Sequence, residues 1–362
     1  MKGLTRKAEE ALLGAALFRP EALASMRWIP PGAFSRPDHA ALWQTLHGID
    51  FSKVSPNEVP ATVTAAVAGI EEQGIRQLLT PSRLAQLASS CPDPRTAPLY
   101  GGMTLEAAIH RSVEHAGEQL RETARQAEVD QARQALEHAD KTGQRLAALD
   151  AAWKAAPEVV RNLLDTKPEQ SVTPVPRTGR ARTDLQAEAE TVASLLYQPG
   201  QLAEVTGWLQ KNDFSHPELA AVYQAMVTLD ERHAPIDALT VAWEAQRQPG
   251  AQPSEQVLAE LEQAGMGGTA AYTGEQVLHT AALDHLDAAG FDMRNYGRHP
   301  GLAPGALVDH AEQALQPVIA DHERIRHAER EPEMASDKEP APGTPDPSPE
   351  IPSPEPEMEM DL

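Results

Sequence analysis

Apolar side chains recur with a helical period from the start of the chain. In residues 5–18, Leu12, Leu13, Ala16 and Leu17 form an i, i+1, i+4, i+5 stripe, and Pro20 closes the run. Residues 184–198 repeat the arrangement. Val192, Leu195 and Leu196 make the stripe, Pro199 ends it, and Asp184 stands where an N-cap belongs. Residues 34–46 read FSRPDHAALWQTL and residues 214–226 read FSHPELAAVYQAM; six of the thirteen positions are identical. Each segment predicts a helix with Pro37 or Pro217 in its first turn, where a missing N–H costs nothing. Ser35 and Ser215 are the expected N-caps. Ser215 with Glu218 has capping-box spacing, and Asp38 is a shorter version of that glutamate. Phe214 is expected to staple onto Leu219, more weakly in the first copy, where His39 replaces the leucine. Leu42, Trp43, Leu46 and Ile49 are core candidates, as are Val222, Tyr223, Met226 and Leu229.

Further matches follow in the same order. Leu84-Ala-Gln-Leu87 answers Leu258-Ala-Glu-Leu261, and Tyr100-Gly-Gly102 answers Tyr272-Thr-Gly274. Residues 104–155 predict a helical hairpin with its break near Lys141-Thr-Gly143. Residues 275–325 predict a second, connected at Asn295–Gly305. Residues 168–183 are Pro-rich and polar, as in a linker. Beyond about residue 328, dense Pro, acid and Ser with few apolar residues predict disorder, first of all as a solubilising tail. The expected fold class is therefore all-α, with two tandem helical domains at 1–156 and 184–327. Each is a compact helical bundle followed by a long hairpin. A linker at 157–183 joins them and a disordered acidic tail at 328–362 follows. As coil, that linker would average roughly 25–30 Å, short enough for the two hairpins to pack together within one chain. A homodimer would use the same surfaces.

Composition narrows the function. Hydrophobic residues make up 41% of the 362 residues but aromatics only 4%, so the core must be built mainly of Ala, Leu and Val, which suits close-packed helices. The net charge of −22 argues against broad DNA binding, which needs Lys and Arg on phosphates. The single cysteine, Cys91, excludes an internal disulfide framework and reads as an inert thiol in a reducing cytoplasm. No leader peptide and no run of about 20 apolar residues for a membrane helix is evident. Nor is there a Gly-Lys dipeptide, so the sequence holds no P-loop of the form G-x-x-x-x-G-K-[ST]. Gly265-Met-Gly267-Gly268 only brushes against a dinucleotide fingerprint. His110 with His115, and His279 with His285, lack the i, i+4 spacing that converges on a metal, and read as solvated helix-face histidines. The acid-rich run Glu118–Glu128 reads as a wet face. Trp153 and Trp243 are the residues able to anchor a partner, with buried packing the expectation for both. No catalytic, cofactor or metal site is expected.

Five stretches then carry a resemblance. Glu9-Glu-Ala-Leu-Leu-Gly-Ala-Ala-Leu17, Pro20-Glu-Ala-Leu23 and Phe34-Ser-Arg-Pro-Asp-His39 resemble the opening of the N-terminal domain of the bacterial replicative helicase, the DnaB type. In the second copy, Pro235-Ile-Asp-Ala-Leu-Thr-Val-Ala242 and Gly267-Gly-Thr-Ala-Ala-Tyr272 are similar to further segments of that family. The first copy has Ser55-Pro-Asn-Glu-Val59 where the former would stand. The second has Leu219 for the motif histidine and Ala193 for the helix glycine. The resemblance implies an all-helical domain that pairs through its hairpin and, in the helicase, contacts the primase. The expected role is a non-catalytic, cytoplasmic replication scaffold that contacts primase, a helicase or a loader and meets DNA only indirectly. The alternatives are an accessory subunit of a helicase whose motor is a separate chain, and a generic helical adaptor.

Overall fold

Helix α1 (Lys2–Phe18) turns Leu12, Leu13 and Ala16 into the interior of the first half. In this computed structural model residues 2–165, 177, 179–264 and 268–336 are described, and every regular element among them is helical. After α1 come α2 (Pro37–His47), α3 (Val59–Ala68), α4 (Gln73–Leu78) and α5 (Pro81–Ser89), which pack as a small head. Leu84 and Leu87 of α5 are buried, and Gly14 of α1 lets that helix lie close: a Cβ there would stand 2.3 Å from the Leu87 carbonyl oxygen. Two long helices follow, α6 (Ala97–Gln126) and α7 (Ala132–Lys154), and then the short α8 (Glu158–Asp165).

The second half repeats this order. Its head comprises α9 (Leu185–Tyr197), α10 (Leu202–Val205), α11 (Pro217–Glu231), α12 (Ala238–Arg247) and α13 (Glu255–Ala264). The long pair is α14 (Ala270–Arg298) and α15 (Pro304–Ser336). Asp184 does cap α9, accepting from the Ala187 N–H at 3.0 Å. Leu42, Trp43 and Leu46 of α2 and Val222, Tyr223, Met226 and Leu229 of α11 are buried as their spacing requires, whereas Ile49, just past the end of α2, is half-buried. Each such side chain contributes roughly 1.5–3 kcal/mol on full burial. The ring of Phe34 packs on Trp43 at 5.4 Å between centroids, and Phe214 packs on Tyr223 at 5.0 Å. Trp43 Nε1 donates to the Ile29 carbonyl at 3.0 Å, and the Tyr223 hydroxyl donates to the Leu209 carbonyl at 2.9 Å. An indole and a phenol thus satisfy the same carbonyl 180 residues apart.

Several local expectations are corrected. Neither serine caps its helix: Arg36 and His216 hold the N-cap positions, and neither side chain accepts from a backbone N–H of the helix; Arg36 instead pairs with the Asp38 carboxylate at 2.9 Å. Glu218 does not close a capping box. Its carboxylate accepts from the Ser254 N–H and hydroxyl, each at 2.8 Å, and ties α11 to the chain entering α13. The first hairpin turns at Ala127–Glu128, where Glu128 and Gln131 form a capping box, and not at Lys141–Gly143. Gly143 lies inside α7, and its cost of about 1 kcal/mol is outweighed by the buried stripe of Leu136, Ala139 and Leu146 around it.

The expected linker begins with helix. Val160 and Leu164, one turn apart on α8, pack over Gly102, where a Cβ would come 2.4 Å from Val160 Cγ1. Beyond α8, residues 166–176 and 178 of that linker lie outside the described residues. The helix α15 runs past residue 328, because Ile325 and Ala328 continue its buried stripe and Glu329 pairs with Arg133 at 3.1 Å. The remainder of the expected tail, 337–362, lies outside the described residues.

Candidate interaction interface

The long helices of the two halves pack on each other. Helices α6 and α14 run antiparallel and cross where Gly117 meets Gly290. A Cβ on either glycine would come 2.6 Å from the carbonyl oxygen of the other, so only glycine permits this approach. Near the ends of the crossing the ion pairs mirror each other. Arg125 faces Asp287 at 3.4 Å and Arg298 faces Glu114 at 2.6 Å. A shift of 173 residues relates Glu114 to Asp287, Gly117 to Gly290, and Arg125 to Arg298. The same shift relates Gly101, which packs under Trp28 and Ile29, to Gly274, which packs under Trp208 and Leu209. That register pairs Gly101, not Gly102, with Gly274. The seam is a pseudo-twofold interface formed within one chain.

Helices α7 and α15 close the bundle. His322 meets Asp140 at 2.9 Å, alongside the Arg133–Glu329 pair. A clasp from the inter-half segment adds to this. Arg177 bonds the Asp284 carboxylate and, at 2.9 Å, its carbonyl oxygen; the Ala181 N–H donates to the same carboxylate at 2.6 Å. Arg182 donates to the Arg125 carbonyl at 2.9 Å, so the clasp touches both halves.

At the junction of head and bundle each half buries a carboxylate. Glu9 accepts from the Ser35 N–H at 2.7 Å and from His39 Nδ1 at 2.9 Å. Arg83 faces His39 Nε2 at 3.4 Å and can only donate, so the ring presents its proton to Glu9. Burial pushes the Glu9 carboxyl up, but the bonds from His39 and Ser35 outweigh it and hold it below its ordinary value. Glu188 accepts from the Ser215 N–H at 2.7 Å, the His216 N–H at 2.9 Å and the Ser215 hydroxyl. In the second half, Asp213 and Asp321 both receive Arg324 of α15. Asp321 also takes His285 Nδ1 at 2.7 Å, and this bond raises the imidazole against its burial.

The histidines singled out by spacing are not all solvated. His110 is buried, with Nδ1 3.0 Å from the Gly297 carbonyl across the seam. Burial lowers His279. These positions face the partner helix, which periodicity within one helix does not reveal. Among the described residues no group of three or more His, Cys, Asp or Glu is placed to hold a metal. Glu118 is not simply wet, since it meets Arg294 at 3.3 Å and Arg298 at 2.9 Å. Cys91 is half-buried, and burial raises its thiol. Trp153 is buried, but Trp243 is 66% exposed, against expectation. Gly265, Met266 and Gly267 lie outside the described residues. No helix among the described residues is long and apolar enough to cross a membrane.

Residues 180–273 match the sequence model of the DnaB-like helicase N terminal domain. The DnaB-like span runs from the clasp through α9–α13 into the first turn of α14, so it includes Glu188, the Ser215 junction and the exposed Trp243. No curated protein and no solved structure matches the chain.

Proposed function

We propose that this chain is a non-catalytic scaffold of DNA replication in which two DnaB-like N-terminal domains pair within one polypeptide. The observation that carries the reading is the match over 180–273, set beside a first half with a corresponding buried carboxylate at its junction and the same glycine crossing. Residues 1–156, extended by α8, are then the first domain, and residues 184–327, extended by the rest of α15, the second. A helical hairpin already satisfied by its internal counterpart leaves the heads free to dock other proteins, with primase, a replicative helicase or its loader as the partner and DNA met indirectly. The sequence has no Gly-Lys dipeptide for a P-loop, which supports a role without ATP hydrolysis. Capture by immobilised primase, helicase or loader at micromolar protein is the expected result. Absence of binding to all three, or ATP turnover by the pure chain, would sink the proposal.

A further inference from the structure

Helix α12 leaves two large apolar side chains in water. Leu239 is 76% exposed and Trp243, one turn later, 66%. The opposite face of α12 buries Val241 and Ala245, as α3 buries Val63 and Val67 in the first half. Superimposing those buried pairs places Ala61 and Ala65 where Leu239 and Trp243 stand, and Gly69 where Arg247 stands. The first half therefore acts as an internal control: this helix does not need large apolar residues on its outer face. An exposed Leu–Trp pair is the kind of patch that marks a contact.

The surroundings are cationic. Arg247, one turn after Trp243, rims a hollow together with Lys211 and Arg232. The one acid lining it, Glu244, is already paired with Arg232 at 3.2 Å. Lys211 has Pro31 as its counterpart 180 residues earlier, so this charge too is confined to the second half.

The geometry of α15 brings a candidate occupant near. Arg324 bonds Asp213 at 2.6 and 2.9 Å, two residues from Lys211. The helix ends at Ser336, roughly 18 Å further on at 1.5 Å per residue. Residues 337–354, between that end and Glu355, would average roughly 21–25 Å as coil, enough to return to α12. It finishes Glu355-Pro-Glu-Met-Glu-Met-Asp-Leu362, acids alternating with Met358, Met360 and Leu362. In an extended segment alternate side chains face opposite ways. Acids can then meet Lys211, Arg232 and Arg247 while adaptable methionines cover Leu239 and Trp243.

We propose that residues 355–362 dock on this face of the second head, so that the acidic segment covers the Leu239–Trp243 surface from within the same chain. The proposal does not depend on the replication reading above. Its test uses the full chain with Cys91→Ser and a fluorophore on Ser353→Cys. The label is expected to be held in the otherwise unaltered chain. Trp243→Ala or Arg247→Glu should shift the docked-to-free ratio at least about tenfold toward free, with unchanged melting. Added salt should loosen the label in the same direction. A label as mobile in the unaltered chain as in Trp243→Ala overturns the proposal. So does immobilisation that grows with protein concentration, which would assign the segment to a second copy.

Discussion

In the first half, Glu9 divides its oxygens between the Ser35 N–H and the ring of His39; in the second, Glu188 gives its oxygens to the Ser215 N–H, the Ser215 hydroxyl and the His216 N–H. What both keep is a buried carboxylate from the first helix aimed at the backbone that opens the α2 or α11 helix. A helix start buried against a neighbour needs an acceptor for its unpaired N–H groups, and here a neighbouring helix supplies it. The remaining valence is free to vary. With His39 in place, the imidazole fills it and Arg83 fixes the ring. With Leu219 in that position no imidazole is available, and the Ser215 hydroxyl and the His216 N–H take its place.

The strongest way to break the likeness of the halves is at the crossing they share. Gly290→Leu would push a side chain against the Gly117 carbonyl and the Arg121 backbone, 2.6 and 2.9 Å from its Cβ. Backbone cannot yield as a side chain tip can, so a loss of more than about 3 kcal/mol is expected. Gly117→Leu should match it. Small-angle scattering should show the halves drawing apart in both variants. Next come the carboxylates. Glu9→Ala strands His39 and the Ser35 N–H, and Glu188→Ala strands two N–H groups, each costing about 2–3 kcal/mol by denaturant melts. His39→Leu sharpens the comparison, because it gives the first junction the leucine of the second. It should cost about 1–3 kcal/mol, since the Ser35 N–H bond to Glu9 survives but the other carboxylate oxygen loses its donor.

These junctions show what the sequence could and could not say. The stripes through Leu12 and Val192 and the twin Leu42–Trp43 and Val222–Tyr223 cores were legible because periodicity is a property of one helix. The caps are not legible locally because the acceptor lies 26 or 27 residues before its serine, beyond any local capping rule. A signal was present all the same. Glu9 falls on the line of Leu12, Leu13 and Ala16, and Glu188 on that of Val192 and Leu195, and an acid on a buried stripe must be paired. The hairpin turn was misplaced for the complementary reason. Gly143 is a weak breaker when its neighbours are buried, whereas Ala127 and Glu128 carry no strong turn residue. Trp243 was misjudged because helical spacing shows which residues share a face but not which face has a partner.

Acid separates the halves further. The Glu9 carboxyl is held below its ordinary value near 4.5, so its contribution is complete above that value and is lost as pH falls through the lowered folded value. His285 runs the other way. Its folded value is raised, so its contribution is complete below the ordinary 6.5 and fades as pH rises through the raised value. Hydrogen exchange resolved by half should show α1 and α2 loosening at the acid end, an effect reduced in Glu9→Gln. The α14–α15 contact should loosen at the alkaline end, an effect absent in His285→Gln.

The smallest expected effect lies in the mirrored ion pairs of the seam, which look alike by position and differ in burial. Asp287 is buried and receives Arg121 as well as Arg125, whereas Glu114 and Arg298 both reach solvent. Removing Arg298 deletes an exposed attraction that water and salt already screen, so Arg298→Ala should leave the melting point nearly unchanged, and closer still at high salt. Asp287→Ala leaves the largely buried Arg121 guanidinium without its carboxylate and should cost about 2 kcal/mol, with weaker dependence on salt. Melts of both variants at low and high salt test this directly. If Arg298→Ala proved the costlier, the burial difference would not be what sets these two pairs apart, and the pseudo-twofold relation would have to be re-examined at that end of the crossing.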